Sequence, residues 1–440
     1  MHGRIGAFAC ACAIVLWAGA LLAGTSSATS GQAGAHTAPV GGVNIVANLL
    51  ESGAPASIDR EIALAHSVHA AVVRAGVPWS ALEPAGPGQI SQAALSSLDR
   101  LMGDAAADGI RVIVFVDSTP CWASSAPASL LRRCVPGTAG KANAWPPTNP
   151  AYYASAVAYL ARRYGPELAA IEIWNEPDQR NEDYFAGPGK ARRYAAILRA
   201  AYPAIKQADP SVPVLAGSLV GYNGVFLRAL YAAGIKGYYD GIAVHFYSLT
   251  LASLRTFRAA QVASGDTKPL WLDEFGWSSC WPSRRIEDEQ ACVTPQIQAR
   301  NITDMFRTLA RTPYVVADVL YKLRSTPTES FGVLSDSGAR KPAFAALASV
   351  LESPFGAPSP VTLSLRRRAN RVVAGGTGPV GDYLRLEAFQ GATLRFRAQF
   401  TLNRFDRYSL ALPSVLGTSG LRVRVYQEWQ GPRRAAQKSI

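Results

Sequence analysis

RVIVFVD (111–117), AYYASAVAYLARRYG (151–165) and LAAIEIWN (168–175) follow one another along the chain, and their order decides the fold. The first and third are short, apolar and rich in β-branched residues, as buried strands are. The second carries apolar residues at helical spacing, and Asn149-Pro150 ahead of it is a helix-start signal. Strand, helix, strand is the crossover that joins parallel neighbours in a sheet.

The alternation continues in both directions. Upstream lie VNIVA (43–47), HAAVVRAG (69–76) and the helix-like ISQAALSSLDRLMGDAAAD (90–108), entered through Ser91. Downstream lie VPVLAGS (212–218), YDGIAVHFY (239–247), KPLWLDE (268–274) and VVADVLYKL (315–323), with KARRYAAILRAAYPAIKQAD (190–209) among the helices. Eight strand–helix units in about 310 residues match a closed (β/α)8 TIM barrel, placed at 41–352. A doubly wound sheet alternates in the same way, but no glycine-rich phosphate fingerprint follows the first strand.

The texture changes after Glu352. SPFGAPSP (353–360) reads as a linker, and VTLSL, YLRLEAF, TLRFRAQF, YSLAL and LRVRVY alternate with period two. The expected fold class is therefore α/β, a TIM barrel followed by a small antiparallel β-sandwich at 361–440, frayed after about Gln430. Of the net charge of +13, +10 falls in that last segment, with fourteen Lys/Arg against four Asp/Glu. Three readings of it stand: a solvated surface, a holder of an anionic polymer, or a nucleic-acid binder. The last lacks a recognised motif, so no nucleic acid is expected.

At the other end, Arg4, the apolar run 5–22 and a small-residue tract make 1–36 read as a secretory signal with a flexible start. An uncleaved anchor is the alternative, since about 18 apolar residues can just span a bilayer. No second such run follows, so no span is expected in the mature chain, which is placed outside the cytoplasm. Cys10 and Cys12 fall in the signal. Cys121 with Cys134 and Cys280 with Cys292 read as two short-range disulfides; free thiols or a shared metal site would be the alternative, but no His lies near either pair.

Barrels of this kind work at the C-terminal ends of their strands. Reading only those positions collects Arg74, Trp79 and Glu83, then Asp117 and Trp122, then Asn175 and Glu176. It continues with His245 and Tyr247, then Asp273, Glu274 and Trp277, and finally Tyr321. Glu176 and Glu274 among polar and aromatic groups are the inventory for glycoside hydrolysis, where one carboxyl protonates the leaving oxygen and the other attacks or activates water. Trp79, Trp122, Trp145, Trp277 and Trp281 are candidate sugar platforms, with core packing as the plainer alternative. Asp178, Asp273 and Glu83 read as structural. A lone His245 without a ligand cluster points to no metal, and no cofactor is expected.

IEIWNEPD (171–178) resembles the Asn-Glu-Pro signature of clan A glycoside hydrolases, and WLDEFG (271–276) resembles their nucleophile strand. VVRAGVPWSALEP (72–84), GIAVHFYS (241–248) and FGVLSDSGARKPAFAAL (331–347) are similar to the same clan. The likeness spans about 43–350, to family 39 first and family 5 (cellulase-like) next. It implies a secreted retaining β-glycosidase acting on a poly- or oligosaccharide, with Glu176 as acid/base and Glu274 as nucleophile. Asn175 would meet the sugar 2-hydroxyl, Tyr247 would touch Glu274, His245 would line the pocket, and Arg74 would keep Glu274 ionised. Leu320-Tyr321 departs from the Trp-Tyr of many relatives at strand eight. An exo-acting, xylosidase-like enzyme and a silent carbohydrate-binding barrel are the alternatives.

Overall fold

The computed structural model describes residues 37–45, 55–247, 251–280, 292–380, 383–402 and 406–440; the expected signal and Trp281 lie outside them. Eight parallel strands run β1 (Val40–Asn44), β2 (Val72–Pro78), β3 (Arg111–Asp117), β4 (Leu168–Ile173), β5 (Val214–Leu219), β6 (Gly241–His245), β7 (Leu270–Phe275) and β8 (Val315–Leu320). They pair in chain order, and β8 returns to β1 to close the barrel. Gly42 permits the close approach of β1 to β2, because a Cβ there would lie 2.1 Å from the Val72 carbonyl oxygen.

The helices outside the barrel are α1 (Pro55–Ser67), α2 (Gln92–Ala107), α3 (Pro150–Tyr164), α4 (Lys190–Ala208), α5 (Val225–Ala232), α6 (Leu251–Ala263), α7 (Pro295–Leu309) and α8 (Pro342–Glu352). Their starts follow capping chemistry. Ser91 Oγ accepts from Ala94 N, and Asn149 Oδ1 accepts from Ala151 N ahead of Pro150. Alternate strand residues face opposite ways. Val73, Val112, Val114 and Ile171 pack outward under the helices, whereas Val72, Ile113, Ala170, Leu215, Ala243 and Val319 fill the barrel's interior.

After α8, the linker residues 353–360 are pinned to α7 and the turn that follows it. Ser359 N donates to Asp304 Oδ1 at 2.8 Å, Arg311 donates to the Phe355 carbonyl at 2.8 Å, and Arg307 holds the Ala357 carbonyl. Two antiparallel sheets follow. One has the order β13-β10-β9, from β9 (Ser364–Arg368), β10 (Arg371–Thr377) and β13 (Arg407–Ala411). The other has the order β12-β11-β14-β15, from β11 (Tyr383–Gln390), β12 (Thr393–Thr401), β14 (Leu421–Gln427) and β15 (Ala436–Ser439). Val372 and Ala374 of the first share a core with Leu384, Leu386, Val423 and Val425 of the second, the arrangement of a sandwich.

The end of the chain departs from expectation. Instead of fraying after Gln430, it turns through Pro432–Arg434 and adds β15 to the edge of β14, pairing Val423 with Lys438 and Val425 with Ala436. Lys438 and Gln437 carry no apolar signal, so backbone pairing with β14 and the packing of Ala436 and Ile440 against the sandwich core make this a strand. Ending the chain at Ala435 should therefore lower the melting temperature and speed proteolysis of the C-terminal sheets. An unchanged calorimetric trace would show that β15 contributes nothing.

Candidate active site

One step of two residues beyond the barrel's apolar plug, the interior turns polar. Val72 gives way to Arg74, Ala170 to Glu172, Ala243 to His245 and Trp271 to Asp273. Arg74, 1% exposed, is the hub of this layer. Its Nε and Nη2 donate to the two Glu172 oxygens, each at 2.9 Å, and its Nη1 donates to Glu274 Oε1 at 2.7 Å. Asn44, Asn175 and Ser218 accept from the same guanidinium at 3.1, 2.9 and 3.1 Å, and Asp273 Oδ2 lies 3.1 Å from Nε. Phe115 packs its ring 4.2 Å from the guanidinium carbon.

Above this layer stand the two glutamates. Glu176 follows β4 in a backbone that holds Trp174 at φ 73° and Glu176 itself at φ 46°, conformations that cost of order 1–3 kcal/mol each. Trp174 is anchored against that strain, fully buried and donating its indole N–H to the Tyr184 carbonyl at 2.8 Å. Glu274 ends β7 and accepts from the Tyr247 hydroxyl at 3.0 Å. His245 Nδ1 joins the pair, 2.7 Å from Glu176 Oε1 and 3.3 Å from Glu274 Oε2. Gln179 donates to the other Glu176 oxygen at 2.8 Å. One carboxylate oxygen of each glutamate and a His245 ring nitrogen all lie within 4.8 Å of one another.

The electrostatics of the free site reverse a simple expectation. Burial pushes Glu274 above its ordinary value, further than the charges of His245 and Arg74 pull it down, and the charge of Glu176 adds to the rise. Burial also pushes Glu176 up, but the hydrogen bond and charge of His245, with Gln179, outweigh it, so Glu176 sits below its ordinary value. His245 is drawn well above its usual range: burial opposes the cation, and the charges of Glu274 and Asp273 overcome it. The short contact to Glu176 and the charges of Glu274 and Asp273 thus favour the protonated form of the imidazole between the two carboxylates.

Arg74, Asn175, Glu176, His245, Tyr247 and Glu274 meet in one site. Tyr321 stands at its rim, its ring 6.1 Å from that of Tyr247 and its hydroxyl donating to Glu329 at 3.0 Å. Asp117 is half-buried at the end of β3 and accepts from Ser118 Oγ. Trp122 is half-buried, its indole N–H bound to the Glu83 carbonyl. Trp79 and Trp277, expected as sugar platforms, are instead 0% and 1% exposed and belong to the barrel wall. Trp79 lies edge-on to Trp122 and donates to Glu83, and the Trp277 ring lies against Phe275, so neither offers a face to a ligand. Cys121 bonds Cys134 and Cys280 bonds Cys292, with Cα separations of 5.7 and 5.3 Å.

Strand-end reading missed four contributors. Glu172 sits inside β4, and its signal was a lone acid in a strand buried on both faces. Ser218 and Gln179 carried no signal. Tyr184, in the loop after β4, is 40% exposed, and burial first, then the nearby charges of Glu176 and Glu274, raise its phenol's pKa. Two groups, Glu172 with His245 and Asp273, and Glu176 with His245 and Glu274, place three ligand atoms close together as a metal site does. They share one imidazole, and Arg74, Tyr247 and Gln179 already engage their carboxylates, so internal contacts account for the clustering.

Removing one member of a buried ion cluster leaves the others uncompensated, at a cost of about 3–5 kcal/mol. Arg74→Leu should lose stability on that scale in chemical denaturation, and Arg74→Lys should recover only part of it, because an ammonium cannot make the bidentate contact to Glu172. A wild-type denaturation midpoint for Arg74→Leu would mean that the cluster does not hold the barrel.

The sequence model of the family described as "Cellulase (glycosyl hydrolase family 5)" matches residues 35–313. No match was found among curated proteins. Among solved structures, the chain is similar to a family 39 glycoside hydrolase from Bacteroides cellulosilyticus WH2, at 17% identity over 86% of this chain and 81% of that one, with a TM-score of 0.55. It is similar to a GH5_18 protein from Streptomyces cattleya in complex with GlcNAc, at 18% identity over 74% and 83%, TM-score 0.52. A GH39 β-xylosidase from Caulobacter crescentus matches at 17% identity over 80% and 82%, TM-score 0.50. At these identities the structural likeness concerns the fold, whereas the family model covers most of the barrel and both glutamates. The chain belongs to glycosyl hydrolase family 5, a clan A glycoside hydrolase whose substrate is a carbohydrate.

Proposed function

We propose that this chain is an exported retaining β-glycosidase that cleaves a poly- or oligosaccharide by double displacement, with Glu176 as acid/base and Glu274 as nucleophile. The observation that carries the reading is the short gap between the two carboxylates, within 4.8 Å at one oxygen of each. Inverting enzymes need about 6.5–9.5 Å between carboxyl groups to seat a water, and retaining ones about 5–5.5 Å. Two disulfides support an oxidising compartment. Neighbouring structures include the β-xylosidase above and an exo-β-1,4-mannosidase from Opitutaceae bacterium strain TAV5, consistent with a β-linked substrate.

The chemistry then runs through the observed contacts. A sugar arriving between the carboxylates strips water from Glu176, which favours its neutral form. The proton on His245 Nδ1 crosses the 2.7 Å contact to Glu176 Oε1, leaving a neutral imidazole and a carboxylic acid. Glu274 attacks the anomeric carbon while Glu176 gives its proton to the leaving oxygen, forming a glycosyl ester on Glu274. Glu176, now a carboxylate, takes a proton from water, which attacks the same carbon and releases Glu274. Asn175, whose Oδ1 is held by Arg74, turns its amide N–H groups to the sugar 2-hydroxyl. Tyr184 and Trp122 would supply the rings that stack on the sugar.

Glu176→Gln should lower kcat about 10²–10⁴-fold on glycosides with poor leaving groups and much less on activated aryl glycosides, which need no proton. Glu274→Gln should be inactive on both. NMR of the first-formed anomer should show retained configuration; inversion would overturn the reading.

His245→Gln tests the proton store through pH. Removing the cation removes a positive charge that lowers Glu274, so the Glu274 pKa rises and the acidic limb of kcat/KM moves to higher pH. An acidic limb that stays in place would show that His245 carries no charge in the free enzyme.

A further inference from the structure

The outer face of the three-stranded sheet β13-β10-β9 carries a second, differently built site. Val372 and Ala374 of β10 turn into the sandwich core, so Val373, Gly375 and Thr377 face the other way. The register sets Ser364 and Ser409 on either side of Gly375, Arg366 beside Val373, and Arg407 beside Thr377. Arg368 shares the face of Arg366. These six residues, Ser364, Arg366, Arg368, Gly375, Arg407 and Ser409, line a groove of ≈ 580 Å³ whose lining contains no acid.

Three features separate this groove from ordinary surface charge. First, the described acids of the two C-terminal sheets are taken by other arginines: Glu387 by Arg397 and Arg424, Glu428 by Arg385, and Asp406 by Arg300. Among the described residues no ion pair engages Arg366, Arg368 or Arg407. Second, cations stand at both ends of a small, hydroxyl-bearing floor. Val373 to Thr377 is four residues, about 13 Å at ~3.3 Å per residue, a spacing suited to successive charges along a polymer. Third, the sheet is fixed to the barrel, since Asp406, immediately before Arg407, is buried against Arg300 of α7.

We propose that this groove binds an anionic polysaccharide through its carboxylate groups and holds it on the molecule that carries the hydrolytic site. A guanidinium fork matches a carboxylate in two parallel hydrogen bonds, and the serine hydroxyls and low Gly375 floor accept a sugar ring lying flat. Single-stranded nucleic acid is held by aromatic stacking as well as charge. Tyr408 is the one aromatic residue among the groove's lining, and its ring packs into the core with its hydroxyl donating to the Thr362 carbonyl, so it is not free to stack on a base.

The test is calorimetric titration of the full chain with oligogalacturonate, with neutral cello-oligosaccharide and single-stranded DNA as comparison probes. Arg366→Ser/Arg368→Ser/Arg407→Ser should raise Kd for oligogalacturonate by more than about tenfold, ~1.4 kcal/mol. Gly375→Val keeps every charge but raises the floor, and should weaken binding similarly. Unchanged melting temperatures confirm that both variants fold. Binding lost in the triple variant but kept in Gly375→Val would reduce the site to diffuse charge and overturn the proposal. Wild-type binding in both variants, or DNA binding as tightly as the glycan through the same residues, would also overturn it.

Discussion

A single buried cation organises the working half of this barrel. Arg74 lies in the closed interior, where an uncompensated guanidinium would cost several kcal/mol in lost hydration. Its contacts reach side chains from β1, β4, β5 and β7 and the loop after β4. Each partner is itself buried and needs Arg74 as much as Arg74 needs it. The cluster therefore holds only when all strands are in register, and that register delivers Glu274 to the mouth with one oxygen already bound. Buried ionic groups are poor contributors to net stability but good at excluding alternatives, and here the alternative excluded is a strand slipped along the barrel axis.

The same interior explains why the two glutamates differ. Both are nearly buried, so desolvation raises each, and what separates them is where His245 directs its nearer contact. The imidazole lies 2.7 Å from Glu176 and 3.3 Å from Glu274, and the shorter contact carries the greater effect. Asp273 faces the other ring nitrogen at 3.6 Å, beyond hydrogen-bond reach but close enough to favour the cation. Burial pushes Asp273 itself up, yet Arg74 and His245 together hold it below its ordinary value. Backbone strain at Trp174 and Glu176 is sustained because Arg74 grips Asn175 between them. Glu176 is thus aimed by the same cation that anchors Glu274.

The C-terminal sheets show how a net charge becomes a pattern only after folding. Fourteen basic residues in eighty say nothing of direction. Strand pairing sorts them: Arg397 and Arg424 converge on Glu387, which is nearly buried, while Arg366, Arg368 and Arg407 emerge together on the opposite sheet. The linker bonds to α7 and the Arg255 guanidinium stacked 3.8 Å over Tyr383 fix both sheets against the barrel.

Local pattern alone determined much of this protein. RVIVFVD, the eight-fold alternation, Ser91 and Asn149 as caps, the two cysteine pairs and the Asn-Glu-Pro and Asp-Glu motifs are each legible within a few residues, because helix periodicity, capping and strand burial act over that range. Both glutamates, Arg74, Asn175, His245 and Tyr247 were legible for the related reason that strand ends are where a barrel works. Whether Trp79 and Trp277 look into the mouth or the wall depends on one step of strand twist and on which neighbour fills the space, and the fold turned both inward. The partnership of Glu172 with Arg74, the ring of Tyr184 at the rim and the pairing of β15 join residues far apart in sequence, through contacts that carry no local signature. Only tertiary packing decided those, since the desolvation and hydrogen bonding that fix them exist only once the barrel has closed.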